Sequence, residues 1–383
     1  MSDTTTLPSS PDEPRRTRVA LIFGGRSGEH GISVVTAAGI MRAIDRTKYD
    51  VVPIGITARG QWVLMPDVEQ LGRIVDGVLP EALASNDAEA RLSLTVGNRA
   101  LRNYEPGHVP VELGDVDVVF PVLHGPFGED GTLQGLLEMA DARYVGCGVL
   151  ASAVGMDKHF MKLVLEGHGI PTAPYIVVKA RDFERDPSAV MAAVEPLGLP
   201  LFVKPARGGS SLGVTRIDSL DALPAALAVA QEQDPKVLVE AAVAGREIEC
   251  AVLGGRDGGV SRASLPGEIC VEGSGHDFYD FEAKYISGDA ARLTCPADLT
   301  PELTQAVRAV AVRTFDAMEC EGLARVDVFV TPDGKVIVNE INTMPGFTPI
   351  SMFPRMWAET GIAYPDLIDE LIQLALERPT GLR

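Results

Sequence analysis

Short apolar runs punctuated by glycine turns organise this chain. Residues 19–23 (Val-Ala-Leu-Ile-Phe) end at Gly24-Gly25 and read as a buried strand entering a tight turn. A helix is predicted over about 33–43, with Ser33 as its N-cap, and a second strand over 49–56. Residues 117–123 form another apolar run. It leads into the loop His124-Gly-Pro-Phe-Gly-Glu-Asp-Gly131 and then a helix to about residue 140. Strand, glycine loop and helix in succession indicate an open α/β sheet, whose ligands sit beyond the carboxyl ends of the strands. Residues 66–110 carry turn signals but no assignable period.

After Gly146 the texture changes. One helix is predicted over 151–167 and includes Lys158. Strands are predicted at 173–178 and 201–204, with a helix near 188–195 between them. Strand-like runs recur at 237–240 and 247–253, and residues 271–290 read as a long loop of the kind that serves as a lid. Helices are predicted at 301–318, capped by Thr300, and at 364–377.

The most informative pattern is a hairpin. Gly322-Leu-Ala-Arg-Val-Asp-Val-Phe-Val330 and Val336-Ile-Val-Asn-Glu-Ile-Asn342 are joined by Thr331-Pro-Asp-Gly-Lys335. Side chains alternate faces along a strand, so Arg325 and Asp327 share a face, as do Glu340 and Asn342. The neighbouring valines and isoleucines place the hairpin inside a sheet, where grouped acids are costly unless a cation compensates. Hard oxygens from Asp327, Glu340 and Asn342 suit Mg²⁺. The loop Arg207-Gly-Gly-Ser-Ser-Leu-Gly213 follows the strand ending at Lys204. By itself such a loop is more often a plain turn than an anion cradle. Coupled to Lys204 and the acidic hairpin, it suits a nucleoside triphosphate, which needs both a cradle and metal ligands. Its spacing matches neither a P-loop nor a dinucleotide fingerprint.

Composition narrows the options. A chain of 383 residues predicts two or three domains. A net charge of −19 argues against nucleic acid as a partner. No apolar run is long enough to span a bilayer, and the polar first eighteen residues lack a signal-peptide core and read as a disordered tail. Five scattered cysteines without a CxxC pair indicate neither a zinc site nor a disulfide framework.

Seven motifs in order carry a resemblance: Gly24-Gly-Arg-Ser-Gly-Glu-His30 with Ser33, His124 through Gly131, Met156-Asp-Lys158, Val203-Lys-Pro205 through Ser210-Ser211, Glu282-Ala-Lys-Tyr285, Arg325-Val-Asp327, and Asn339-Glu-Ile-Asn-Thr-Met-Pro-Gly346 through Ser351. The chain resembles the D-alanine–D-alanine ligases of the ATP-grasp superfamily. The resemblance implies an α/β, three-domain ATP-grasp fold, with an N-terminal open parallel sheet and two α+β domains clasping ATP. The expected divisions are a disordered tail at 1–17, an N-terminal substrate domain at 18–146, a central domain at 147–238 and a C-terminal catalytic domain at 239–383. It implies ATP-dependent joining of two D-alanines through an acyl phosphate, for peptidoglycan precursor synthesis in the cytoplasm, by a homodimer.

The same resemblance implies residue roles. Lys158, Lys204, Ser210 and Ser211 would meet the ATP phosphates, Glu240 and Val243 the adenine, and Glu247 the ribose. Asp327, Glu340 and Asn342 would hold two Mg²⁺, with Mn²⁺ as an alternative. Glu29 would receive the ammonium of the first D-alanine, and His124 would lie near its carboxylate. Lys284 and Ser351 would meet the carboxylate of the second. Arg325 and the Gly346 N–H would stabilise the oxyanion, while Ser210 and Tyr285 would join Glu29 in closing the lid. The resemblance also implies that Tyr285, which depsipeptide-forming relatives tend to lack, favours an amine acceptor over a hydroxy acid. Three alternatives are weighed against this: another ATP-grasp ligase or a depsipeptide-forming relative, a nucleotide-binding regulator without catalysis, and a dehydrogenase, whose glycine fingerprint is absent.

Overall fold

The computed structural model describes residues 15–73, 78–84, 88–271 and 291–380. The expected tail up to residue 14 and most of the expected lid, 272–290 with Lys284 and Tyr285, lie outside the described residues.

The first sheet runs β3-β2-β1-β7, formed by β1 (Thr17–Gly24), β2 (Tyr49–Ile56), β3 (Trp62–Leu64) and β7 (Val118–Pro121). β1 is parallel to both β2 and β7, while β3 returns antiparallel. Val19, Leu21 and Phe23 of β1 enter one apolar cluster, and Ala20 and Ile22 enter another on the opposite face. Burial on both faces explains why β1 is a continuous apolar run rather than an alternating one. The C-terminal helices Met352–Thr360 and Tyr364–Glu377 share the first of these clusters through Phe353, Trp357, Leu367 and Leu371. Residues that sequence periodicity left unassigned form an antiparallel sheet of β4 (Glu89–Leu92), β5 (Ala100–Tyr104) and β6 (Val111–Asp115).

The predicted N-cap at Ser33 is not where the helix begins. The helix spans His30–Ala43, with Glu29 at its N-cap position. Ser33 lies within the first turn, where its hydroxyl accepts from Gly24 N at 2.7 Å and donates to Val122 O at 2.6 Å. It therefore ties together the ends of two strands rather than capping the helix.

The second sheet runs β10-β9-β11-β8: β8 (Tyr175–Lys179), β9 (Leu201–Pro205), β10 (Thr215–Ile217) and β11 (Lys236–Ala241). One face packs Val203, Val237 and Val239 on Leu223 and Leu227 of the helix Leu223–Gln231. The third sheet follows β15-β14-β12-β16-β17, with β13 (Arg262–Ala263) paired to β12. Its other strands are β12 (Arg246–Leu253), β14 (Gly267–Val271), β15 (Ala291–Thr294), β16 (Leu323–Val330) and β17 (Val336–Asn342). Ile248, Cys250, Val326, Val328 and Val338 pack beneath the helix Pro301–Ala317 through Val307, Ala311 and Phe315. Thr300 caps that helix by accepting from Leu303 N.

The single helix predicted over 151–167 is two, Val149–Met156 and Lys158–Gly167. Asp157 breaks it. Its backbone is extended, it ends the first helix, and its carboxylate caps the second by accepting from His159 N and Phe160 N. Asp157 also pairs with Lys236, and Lys158 N donates to Ala206 O at 2.9 Å. Lys158 is thereby fixed at the start of a helix and anchored to the second sheet.

β16 and β17 do not keep simple alternation. Asp327 pairs with Glu340, but Val328 pairs with Val338, so Asn339 is an extra residue forming a bulge. If the same residues alternated regularly, Glu340 would share the parity of Val336 and Val338 and point into the core. The bulge resets the count, so Val336, Val338 and Ile341 are buried while Glu340 and Asn342 stand off the core face with Asp327.

Candidate functional site

The second and third sheets enclose a cleft of about 450 Å³. β9 contributes Lys204, the loop after it contributes Ser210 and Ser211, and β11 and the turn beyond it contribute Glu240 and Val243. Opposite stand Glu247 and Glu249 of β12, Asp327 of β16, and Asn339 and Glu340 of β17, with Lys158 at the helix start. All the residues assigned to ATP, and the carboxylates assigned to metal, thus face one cavity. Asn342 adjoins it through Asp327.

The lysines bridge the two walls. Lys158 Nζ donates to Gly208 O at 2.9 Å and lies 3.2 Å from Glu340 Oε2. Lys204 Nζ lies 2.9 Å from Glu240 Oε2 and 3.5 Å from Asn339 Oδ1. Lys162, one helical turn after Lys158, is completely buried and lies 3.2 Å from the same Glu240 oxygen.

The glycine loop is tightly held at both ends. Arg207 forms a fork on Asp234 through Nε at 2.9 Å and an Nη at 2.8 Å, and its backbone N–H reaches the same carboxylate at 2.9 Å. Burial would raise the Asp234 pKa, but Arg207 and the backbone donors outweigh it and hold the carboxyl below its usual range. Farther along, Ser210 and Ser211 adopt φ values of 52° and 57°. Two successive non-glycine residues in the left-handed region are uncommon and mark stored strain of the kind found at binding sites. Ser210 Oγ donates to Glu29 Oε1 at 2.5 Å, so this loop touches the loop after β1.

On the first-sheet side, the His124 ring is buried and its Nδ1 lies 3.0 Å from Met344 O. A carbonyl only accepts, so Nδ1 carries the proton and Nε2 presents its lone pair. Nε2 is buried without a hydrogen-bond partner among the described residues. Burial lowers the His124 pKa, with Glu29 opposing and Arg325 reinforcing, so the ring is neutral. Glu129 accepts from Gly125 N at 2.9 Å and Met344 N at 3.3 Å. Desolvation, then repulsion from Glu29, pushes its carboxyl up to about 8. His30 is structural: Nδ1 donates to Gly25 O, and Nε2 accepts from Ala82 N.

Arg325 organises the hairpin acids. Its guanidinium forks onto Asp327 through two 2.7 Å bonds and lies 3.2 Å from Glu249. Glu249 and Asp327 are direct cross-strand partners, a like-charge pairing that destabilises a sheet unless neutralised. Burial alone would lower the Arg325 pKa, but Asp327 and Glu249 raise it well above its usual value. Asn342 Nδ2 donates to Asp327 Oδ2 at 3.0 Å. Asp327, Glu340 and Glu249 carry one more negative charge than Arg325 and Lys158 offset, a balance and an oxygen chemistry that suit a divalent cation, although among the described residues no three His, Cys, Asp or Glu side chains converge as a metal-holding group in this arrangement. Gly346 lies in the loop after β17, two residues beyond the His124 acceptor. Ser351 precedes the helix Met352–Thr360, with its Oγ 2.7 Å from Thr348 Oγ1.

Lys162, Asn339, Glu249 and Glu129 were not picked out from sequence. Lys162 follows Lys158 at helical spacing, Glu249 shares strand parity with Glu247, and Glu129 sits inside a motif already recognised. Asn339 also heads a recognised motif, but that it faces the cleft beside Glu340 follows only from the bulge.

Two sheets clasping a lysine-lined cleft, with acids on an opposing hairpin, define the ATP-grasp class of ligase fold. Family models described as D-ala D-ala ligase N-terminus and D-ala D-ala ligase C-terminus match residues 18–147 and 164–373. The chain belongs to the D-alanine–D-alanine ligase family. It is 60% identical over 375 residues to a D-alanine–D-alanine ligase of Kineococcus radiotolerans, covering 96% of this chain and 99% of the relative. It is 57% identical over 368 residues to that of Pseudarthrobacter chlorophenolicus, covering 96% of each. Among solved structures, the D-alanine–D-alanine ligase of Coxiella burnetii matches with a TM-score of 0.78 and 34% identity over 94% of both chains. The VanG D-Ala:D-Ser ligase of Enterococcus faecalis matches with a TM-score of 0.79 and 33% identity over 94% of this chain and 100% of that one.

Proposed function

We propose that this chain joins two D-alanines into D-alanyl-D-alanine, converting ATP to ADP and phosphate and supplying a precursor of peptidoglycan. The observation that carries this reading is the Ser210–Glu29 contact, which brings the nucleotide cleft against the loops after β1 and β7. A triphosphate lying along Lys158, Lys204, Ser210 and Ser211 would end beside an amino acid held by Glu29 and His124.

A carboxylate is a poor electrophile until activated. A carboxylate oxygen of the first D-alanine attacks the γ-phosphorus, the bond to the β,γ-bridging oxygen breaks, and ADP leaves. Lys158 and Lys204 offset charge on the phosphates. Glu240 and Val243 border the nucleobase and Glu247 the ribose. The neutral amine of the second D-alanine then attacks the acyl phosphate carbon, and phosphate leaves as the amine gives up a proton. Arg325 and the Gly346 N–H face the developing oxyanion, and Ser351 serves the second carboxylate. Holding both partners in register lowers the barrier by about 7 kcal/mol or more in favourable cases. Lys284 and Tyr285, outside the described residues, enter this scheme on their sequence motif alone.

Asp327, Glu340 and Asn342 would hold Mg²⁺, two ions in this reading with Mn²⁺ as a substitute. When bound, the metal neutralises and orients the triphosphate. Domain divisions at 146 and 238 belong to this reading, although β11 (Lys236–Ala241) of the second sheet runs across the latter, and the reading extends to a cytoplasmic homodimer. Among the described residues, no helix is long and apolar enough to cross a membrane.

Product analysis with ATP, Mg²⁺ and D-alanine tests the assignment, with D-serine and D-lactate as competing acceptors. The unmodified chain yields D-alanyl-D-alanine and ADP, and Glu340→Gln loses at least about a hundredfold of the rate, the scale of losing a major charge-stabilising group. Preferential joining to D-lactate at alkaline pH, or no nucleotide-dependent product, refutes it.

A further inference from the structure

Behind the cleft wall, on Glu240, lies a buried lysine that the ligation scheme leaves unused. Lys162 has no accessible surface, yet among the described residues its one ion-pair partner is Glu240, at 3.2 Å, with Ala173 O at 3.4 Å. Glu240 is itself 3% exposed, and the same Oε2 also holds Lys204 at 2.9 Å. Two ammonium groups therefore share one carboxylate oxygen.

We propose that Lys162 is a positioning residue that holds the charge of Glu240 so that Lys204 is free to turn to the triphosphate. An isolated buried carboxylate is strongly disfavoured. With Lys162 absent, Lys204 would be the sole counter-charge of Glu240, and drawing it toward a phosphate would strand that anion. With Lys162 present, Glu240 stays paired when Lys204 departs. The arrangement of two cations on one anion leaves a net positive charge at the cleft wall, the sign a polyphosphate requires. Burial brings the Lys162 pKa down to about 8 against the pull of Glu240, so its charge depends on that carboxylate.

This role rests on the nucleotide reading of the cleft and is tested by binding rather than turnover. Calorimetry with magnesium compares adenosine with a non-hydrolysable ATP analogue. Lys162→Met is expected to weaken the triphosphate at least tenfold while adenosine affinity stays within about threefold, since lost phosphate contact alone separates the two ligands. In the Glu240→Gln background there is no anion to strand, so adding Lys162→Met no longer changes the ratio of the two affinities. Equal losses for both ligands, or an unchanged ratio in the single variant, overturn the role. If Lys162→Met does not fold, Glu240→Gln alone decides: Lys204 is then unclaimed and the triphosphate preference is kept or rises, whereas its collapse overturns the proposal. An unmodified chain that binds neither ligand overturns the nucleotide reading itself. One that binds both and makes dipeptide, yet fails these arms, overturns only the part given to Lys162.

Discussion

Replacing Arg325 with methionine probes the electrostatics of the hairpin most directly. The substitution preserves much of the side-chain length but removes the charge that forks onto Asp327 and reaches Glu249. Those two carboxylates are direct cross-strand partners, with side-chain exposures of only 15% and 6%. Stranding one partner of such a buried pair costs about 3–5 kcal/mol. The cost depends on the absence of another cation. Urea unfolding in EDTA is therefore expected to show the full loss. Added Mg²⁺ is expected to stabilise the variant more than the parent, because the ion takes over charge that Arg325 otherwise supplies. A ligand at a hundred times its Kd contributes about 2.7 kcal/mol, so several tenths of a kcal/mol between the two proteins is measurable. Equal stability of parent and variant in EDTA, or identical Mg²⁺ increments, would refute the reasoning. Ligation activity should be lost in either condition.

Three further outcomes follow from individual contacts. Ser210→Ala removes a hydrogen bond to a carboxylate worth about 1.5–3 kcal/mol, so steady-state dipeptide formation should fall about ten- to a hundredfold, and an unchanged rate would show the Glu29 contact to be incidental. Asp234→Ala leaves the backbone N–H groups of Arg207 and Lys236 without their acceptor, costing about 2–4 kcal/mol in urea unfolding; a change under about 0.5 kcal/mol, typical of ordinary surface sites, would contradict this. Glu129 has a folded pKa raised to about 8 from 4.5. The unfolded chain releases this proton first, so its contribution to stability is present below pH 4.5 and is lost as pH rises toward 8. Glu129→Gln should therefore show a smaller decline in unfolding midpoint between pH 5.5 and 8.5 than the parent, which differential scanning calorimetry at the two pH values would reveal.

Much of the site was legible because its residues lie at strand ends and in glycine loops, where local sequence determines local geometry. Lys204 and the 207–213 loop follow directly from a strand and its turn, and the first sheet follows from its apolar runs. Long-range pairing was not legible. Nothing local shows that Ser33 bonds Val122, or that Lys162 shares Glu240 with Lys204, because those partners are distant in sequence. Asp157 ends one helix and starts the next through contacts with Arg207 and Lys236 on another sheet, so an apolar period running past it reads as one helix. The short antiparallel strands between residues 89 and 115 are half-exposed, with irregular pairing at Leu101 and Arg102, and leave only a faint alternation.

The extra residue at Asn339 lets one strand carry two face patterns that are out of step, buried Val336 and Val338 before it and outward Glu340 and Asn342 after it. Removing Asn339 alone would leave Val338 inward, Glu340 outward and Ile341 inward, so the acid would keep its side and the loss would be the local bend of the bulge and the contact of Asn339 with Lys204. A scan of single-residue deletions along this strand should find position 339 the most tolerant, whereas loss of Ile341 turns Asn342 inward and should unfold the ribbon. A bulge is thus a place where a strand can shed a residue without exchanging inside for outside beyond it.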